Sequence, residues 1–332
     1  MKRECPSLLA ALTVGVLVNV LLRSQSAYWP RVGAMTALFC APLLAMIGGL
    51  FAKAWHCGPS PVIRLSFALL LFYTSALEVL HFWNLAQRLY PGTLSLTVVC
   101  LTLLLPLVYL RRVSAISQTA HVVLCLLILA TAFMLLTILP RLHITNLQNQ
   151  PLQISDYVTA AKEQMILYPE YLLPALWPQR DQKRRHPLLR LSLLALLFDV
   201  AIHFVLELFY GAALPMRMDP LHAVARCGAL AVFNRLESLQ MILWVMAITI
   251  KLALYLYGIC LLLDQKQTGN TAVPLRVFPL YAGSLLVLCA LLRKSDMEVA
   301  MQIRNLLTWG FAWFVGMGGA ATWLCQKVKP CS

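Results

Sequence analysis

The chain has 332 residues, of which 60% are apolar and only 12% charged, with a mean hydropathy of +0.75. Soluble domains are about a quarter charged, so this composition excludes an ordinary soluble enzyme or binding module and indicates a polytopic membrane protein. The net charge of +14 does not point to nucleic acid, because the basic residues are scattered between apolar runs. A cytoplasmic face turned toward anionic lipid accounts for the excess.

A membrane-crossing helix needs about 20 apolar residues. In chain order, ten spans are predicted, the first five near Ser7–Leu22, Pro30–Lys53, Pro61–Arg88, Gly92–Leu110 and Ser117–Pro140. The basic start, MKREC, leads into the first of these rather than into a small-residue cleavage site, so it opens a transmembrane helix. The sixth, Ile154–Pro178, is broken by Pro169 and Pro174 and carries Asp156, Lys162, Glu163 and Glu170. The last four lie near Leu188–Ala213, Ser238–Leu263, Ala272–Leu292 and Val299–Cys325.

With both termini placed in the cytoplasm, inside connections carry fifteen basic residues against eight outside, which favours that orientation. The run QRDQKRRHP is its strongest determinant. Two outside connections are long: Arg141–Gln153, rich in amides, and Leu214–Glu237, where Leu221, Val224, Ala225 and Leu230 recur at helical spacing. The latter is predicted as an interfacial helix over an outer mouth.

The cysteines are mostly single residues in apolar runs (Cys40, Cys100, Cys125, Cys260, Cys289), read as small buried hydrophobes. No CxxC pair or His/Cys spacing suggests a metal, and no cofactor is expected. Catalysis has no support either, since GxSxG, HExxH and Walker loops are all missing from the sequence. Gly48-Gly49 and Gly318-Gly319 are expected at close helix contacts.

Ionisable residues inside spans usually face the protein interior. Asp199, His203 and Glu207 are spaced four apart, along one helix stripe. That stripe suits either an internal polar network or a proton relay. Lys251 lies midway through its span, with Asp199 and Glu78 as candidate partners. Glu78 also begins a polar face with His81, Asn84 and Gln87, which suits a vestibule or a span end entering the headgroups. In the broken span, Pro169 and Pro174 remove helical hydrogen bonds, and the freed groups need partners from protein, water or ligand. A half-helix N-terminus there is expected to hold an anionic group, as in transporters with discontinuous helices.

The segment YPEYLLPALWPQRDQKR, a span ending in FYGAAL, and FNRLESLQMILWVMAITIKLALYLYG resemble the B-subunit permease of spore germinant receptors. That family belongs to the amino acid–polyamine–organocation transporter superfamily. The most specific match is Arg235–Glu237 ahead of Trp244, with Lys251, Tyr255 and Tyr257 beyond; LYPGT at Leu89–Thr93 is a second. The likeness covers about Tyr168 to Leu263.

The resemblance implies an all-α, ten-helix, LeuT-like fold in which two five-helix halves form an inverted repeat with helices one and six broken. It implies a non-enzymatic sensor of a small nutrient such as an amino acid. Such a sensor would work with a larger A subunit and a lipoprotein C subunit in the inner membrane of a bacterial spore. The first span departs from the family pattern, having Thr13, Gly15 and Asn19 but no glycine cluster to unwind it.

The ligand site is then expected between spans one, three, six and eight. Thr13, Gly15 and Asn19 form one side, Tyr73 and Thr74 a wall, Glu163, Tyr168 and Pro169 the opposite break, and Trp244 packs nearby. Glu78, Asp199, His203, Glu207, Arg235, Glu237 and Lys251 form the expected coupling or structural network. The other reading is a proton-coupled amino-acid transporter using Asp199, His203 and Glu207.

Overall fold

A computed structural model describes residues 9–23, 30–56, 58–92, 94–147, 153–176, 187–216, 220–227, 236–263 and 272–328. No strand occurs among them. The helices are α1 (Leu9–Arg23), α2 (Pro30–His56), α3 (Pro61–Leu89), α4 (Leu96–Leu104), α5 (Val113–Ile138) and α6 (Ile154–Gln164). They continue with α7 (Pro187–Tyr210), α8 (Pro220–Cys227), α9 (Leu236–Leu263), α10 (Val277–Leu292) and α11 (Met297–Val328). Five of these helices are long and apolar enough to cross a membrane.

Local chemistry sets the ends. Ser60 caps α3 by accepting from the Ile63 amide at 3.3 Å, with Pro61 at the first helical position, where its missing N–H costs nothing. Ser95 caps α4 in the same way through Val98. Pro106 then turns the end of α4 into a 3-10 segment, Leu105–Val108. Gln87 closes the turn between these helices by donating to the Leu94 carbonyl. It is thus engaged in a span-end turn.

The molecule is inside-out relative to a soluble protein. Many Leu and Phe side chains point outward, with Phe39 75% and Leu280 73% exposed, whereas Glu78, Glu170 and Lys251 are fully enclosed. Such a pattern suits a hydrocarbon surround, where charged groups turn inward. Two helices are enclosed on every side: α1 from Ala10 to Asn19, and α9 from Ala247 to Tyr257. Around them α3 packs on α9, α2 on α7, and α5 and α7 on α1. The predicted helix in the long connection is present as α8, and Leu221, Val224 and Ala225 bury against α9, α7 and α5.

Several expectations need correction. Helix α1 is continuous from Leu9 to Arg23, so the break expected in helix one is not there; it has no proline, and its single glycine, Gly15, does not unwind it. Cys125 is exposed rather than buried. Of the paired glycines, Gly48 makes a close contact, since a Cβ there would lie 2.9 Å from the Tyr171 carbonyl oxygen, while Gly49 and Gly318 have nothing within 4 Å; the surroundings of Gly319 lie outside what the structure describes. The run QRDQKRRHP, up to its proline, lies outside the described residues, as do Leu230 and Arg235.

The sixth segment is broken, as its prolines predict. Helix α6 ends at Gln164, and single 3-10 turns follow at Pro169–Tyr171 and Leu173–Leu176. This stretch is seated against helix backbones. Gly48 of α2 meets the Tyr171 carbonyl, and a Cβ on Gly258 of α9 would lie 3.2 Å from both Leu173 and Leu71. Any larger residue at these points would compete for the same space.

Candidate functional site

The backbone groups freed by the break are met by side chains of α11. The Leu167 amide donates to Asn305 Oδ1 at 3.2 Å, and Trp309 Nε1 donates to the Met165 carbonyl at 3.0 Å. Within the break, Tyr171, Leu172 and Ala175 donate to Tyr168, Pro169 and Leu172. Protein partners thus replace much of the hydrogen bonding that Pro169 interrupts. The expected half-helix N-terminus is not formed within residues 165–176, because Pro169 and Pro174 allow only short 3-10 turns there. The break instead delivers a carboxylate of its own, Glu170.

Glu170 is the junction of a buried charge cluster. Its Oε1 accepts from Tyr255 OH of α9 at 2.7 Å and from Asn19 Nδ2 of α1 at 3.2 Å. It also lies 3.2 Å from Lys251 Nζ of α9. The same ammonium pairs with Glu78 Oε1 of α3 at 2.7 Å and donates to Asn19 Oδ1. Three acceptors thus use the three protons of Lys251. Arg304 of α11 approaches Glu78 Oε1 at 3.3 Å, and its guanidinium lies 5.3 Å from the centre of the Tyr168 ring. Two carboxylates face two cations, so the formal charge of the cluster cancels. That balance makes four charges tolerable at this depth.

Space for Glu170 comes from α1. A Cβ on Gly15 would lie 3.3 Å from Glu170 Cγ and 3.4 Å from its Oε1. Gly15 and Asn19, one helical turn apart, therefore form the α1 face of the cluster. Glu78 Oε2, Glu170 Oε2 and Arg304 Nε are buried without a hydrogen-bond partner in the protein. These are the cluster's remaining points of attachment for a small polar group.

The other expected site residues divide clearly. Tyr168 and Pro169 are buried in the break beside the cluster. Thr13 and Thr74 spend their hydroxyls on their own helices, bonding the Leu9 and Leu70 carbonyls. Tyr73 is half-buried and donates to the Ala300 carbonyl of α11 at 3.4 Å. Glu163 belongs to α6, before the break, and is half-buried. Trp244 lies seven residues from Lys251 on α9, against an apolar cavity. Glu237 is in the first turn of α9.

Asp199 does not pair with Lys251, whose carboxylate partners are Glu78 and Glu170. Asp199, His203 and Glu207 form a second buried stripe on α7. His203 Nδ1 lies 2.9 Å from the Asp199 carbonyl and 3.5 Å from its Oδ1. Among the described residues, no group of three His, Cys, Asp or Glu side chains is arranged to hold a metal ion.

Sequence reasoning did not place Glu170 or Arg304 in the site. Glu170 carried a signal in being the acidic residue between two prolines. Arg304 carried the same signal as Lys251, a lone cation inside a predicted span. The chain matches no protein-family model and no curated protein.

Proposed function

We propose that this chain is a membrane sensor on a transporter fold, of the germinant-receptor B-subunit kind, that detects a small polar nutrient where α1, α3, α9, α11 and the broken segment meet. The observation that carries this reading is Glu170. A carboxylate on a proline-bounded break is bonded to two helices at once, through Asn19 and Tyr255, with Lys251 alongside. A ligand carboxylate would compete with Glu170 for Lys251 and Tyr255, and a ligand ammonium would compete with Lys251 for Glu78 and Glu170. Either exchange would free the broken segment from the enclosed helices. An amino acid carries both groups.

Support for a five-plus-five inverted repeat comes from the packing. Setting α8 aside as a connection leaves ten segments, and each is replaced in turn by the one five places away. The contacts α2–α7, α3–α9 and α4–α10 then map onto themselves. Likewise α1–α7 maps onto α2–α6, α5–α9 onto α3–α11, and α3–α10 onto α4–α9. The α1–α5, α1–α9, α2–α11 and α3–α4 contacts have no counterpart of similar extent. On this reading the partners are an A subunit and a lipoprotein C subunit in the spore inner membrane, with both termini cytoplasmic.

The test is a nutrient dose response in spores carrying Glu170→Gln or Lys251→Met alongside the intact partner subunits. Each variant that reaches the membrane should move the half-effective nutrient concentration by about tenfold, the worth of one charge-assisted hydrogen bond. Unchanged curves for both would remove the cluster from sensing. A second reading, proton-coupled amino-acid transport, is favoured by the buried Asp199–His203 pair. Proteoliposomes decide it: saturable, pH-driven uptake that Asp199→Asn abolishes would make the chain a transporter.

A further inference from the structure

Three arginines gather where two connections meet. The Val273 amide donates to the Arg111 carbonyl at 3.0 Å, which ties the segment before α10 to the one between α4 and α5. Arg112 follows directly, at the start of α5. Arg276 stands at the start of α10, and a turn in which the Val277 amide donates to the Pro274 carbonyl keeps it near Val273. Neither Arg112 nor Arg276 makes a side-chain cap bond. Among the described residues, none of the three guanidiniums has a hydrogen-bond or ion-pair partner.

The chain around them does not offset this charge. Residues 94–120 and 272–292 contain neither Asp nor Glu, and in the adjoining stretch 264–271 Asp264 is matched by Lys266. The patch is apolar as well as basic. Tyr109 is 84% and Leu275 55% exposed, and Leu105 and Leu280 also point outward. Helix α5 is long and apolar enough to cross a membrane, so its first turn marks a span end. Three unspent cations and a tyrosine therefore sit at the level where hydrocarbon gives way to headgroups.

We infer that this patch is a seat for an anionic phospholipid, its phosphate held by Arg111, Arg112 and Arg276 and its acyl chains lying along exposed residues such as Leu105 and Leu280. The guanidinium fork matches phosphate oxygens in pairs, which suits arginine rather than lysine to the task. A net negative headgroup is required, because the ammonium of a zwitterionic lipid offsets its own phosphate. The exposed apolar neighbours favour a lipid over a soluble phosphate, which would leave them uncovered. The seat is separate from the charge cluster, and its existence does not depend on the sensing role proposed for that cluster.

Native mass spectrometry of the detergent-solubilised full-length chain tests this, by the dissociation constant of the first bound lipid. Phosphatidylglycerol should bind about a hundredfold more tightly than phosphatidylcholine of the same acyl chains, the combined worth of three arginines. Arg112→Gln and Arg276→Gln should each weaken phosphatidylglycerol by about fivefold, and together by about twenty-five-fold. Arg64→Gln combined with Arg190→Gln, which removes the same charge elsewhere, should leave the preference intact. Thermal melting of the variants checks folding, and the wild-type comparison of the two lipids needs no variant. Equal affinity for the two lipids would overturn the seat, as would an equal loss in the control pair, since the attraction would then be diffuse. Displacement of the lipid by glycerol phosphate or by a hexaglutamate peptide at micromolar concentration would also overturn it, placing a free phosphate or an acidic protein segment there instead.

Discussion

Helix α1 and the broken sixth segment are both buried at Glu170, yet they reach it by opposite means. Helix α1 is unbroken, nearly uncharged and enclosed from Ala10 to Asn19, and it contributes a gap, Gly15, and an amide, Asn19. The broken segment interrupts its helix and contributes the charge. In the bilayer a backbone break and a buried carboxylate are each costly, so they need partners close at hand. Here the partners are divided: α11 bonds the open backbone, while α1 and α9 bond the carboxylate. The comparison teaches that a pair of facing segments need not both unwind to make a polar centre. One can stay regular if it leaves room for the other.

The strongest way to break this contrast is to remove the cation between them. Lys251→Met should leave Glu78 and Glu170 facing each other with Arg304 as the remaining cation of the cluster, at a cost of about 3–5 kcal/mol. Thermal unfolding in detergent should show a large drop, and Lys251→Met combined with Glu170→Gln should recover part of it. An unchanged melting profile for the single variant would mean that the ion pairs carry no stability.

The next test asks whether space matters as much as charge. Gly48→Ala should force the Tyr171 carbonyl away and destabilise by about 1–3 kcal/mol, as overpacking does. Gly49→Ala, with open space beside it, should be neutral or stabilising by up to about 1 kcal/mol in the same assay. Equal effects of the two would show that helix propensity rather than contact decides. Gly15→Val should act similarly on the α1 side, displacing Glu170 by about 1–3 kcal/mol of strain. A smaller loss is expected on the backbone side: Asn305→Ala should remove the partner of the Leu167 amide, costing about 1–2 kcal/mol. Hydrogen exchange at Leu167 should rise selectively, and a change spread over the whole bundle would contradict the local role.

Much of the helical layout was legible, because helix starts coincide with signals such as Ser60-Pro61; Pro106, inside the fourth expected span, instead ends α4 at Leu104. The break was legible from two prolines five residues apart, Pro169 and Pro174, in a stretch that also carries charge, whereas the single Pro42 in an apolar run leaves α2 continuous. Lys251 and Glu78 stood out as lone charges in apolar runs. The pairing of Lys251 with Glu170 was not legible, because helical spacing places residues on a face of their own helix and says nothing of a residue beyond a break. The same limit explains Asp199, which is well spaced for an α7 stripe yet is not bonded to Lys251. Arg304 was obscured by its apolar neighbours, which set the average hydropathy of the last span.

The seats at Gly15, Gly48 and Gly258 have a mechanical consequence. Exchange of the Glu170 bonds removes the polar anchors, but at these seats the broken segment lies directly against glycines, so moving it further requires α1, α2 and α9 themselves to shift. A ligand event confined to one carboxylate would then be read out as a displacement of whole helices, over distances far larger than the ligand.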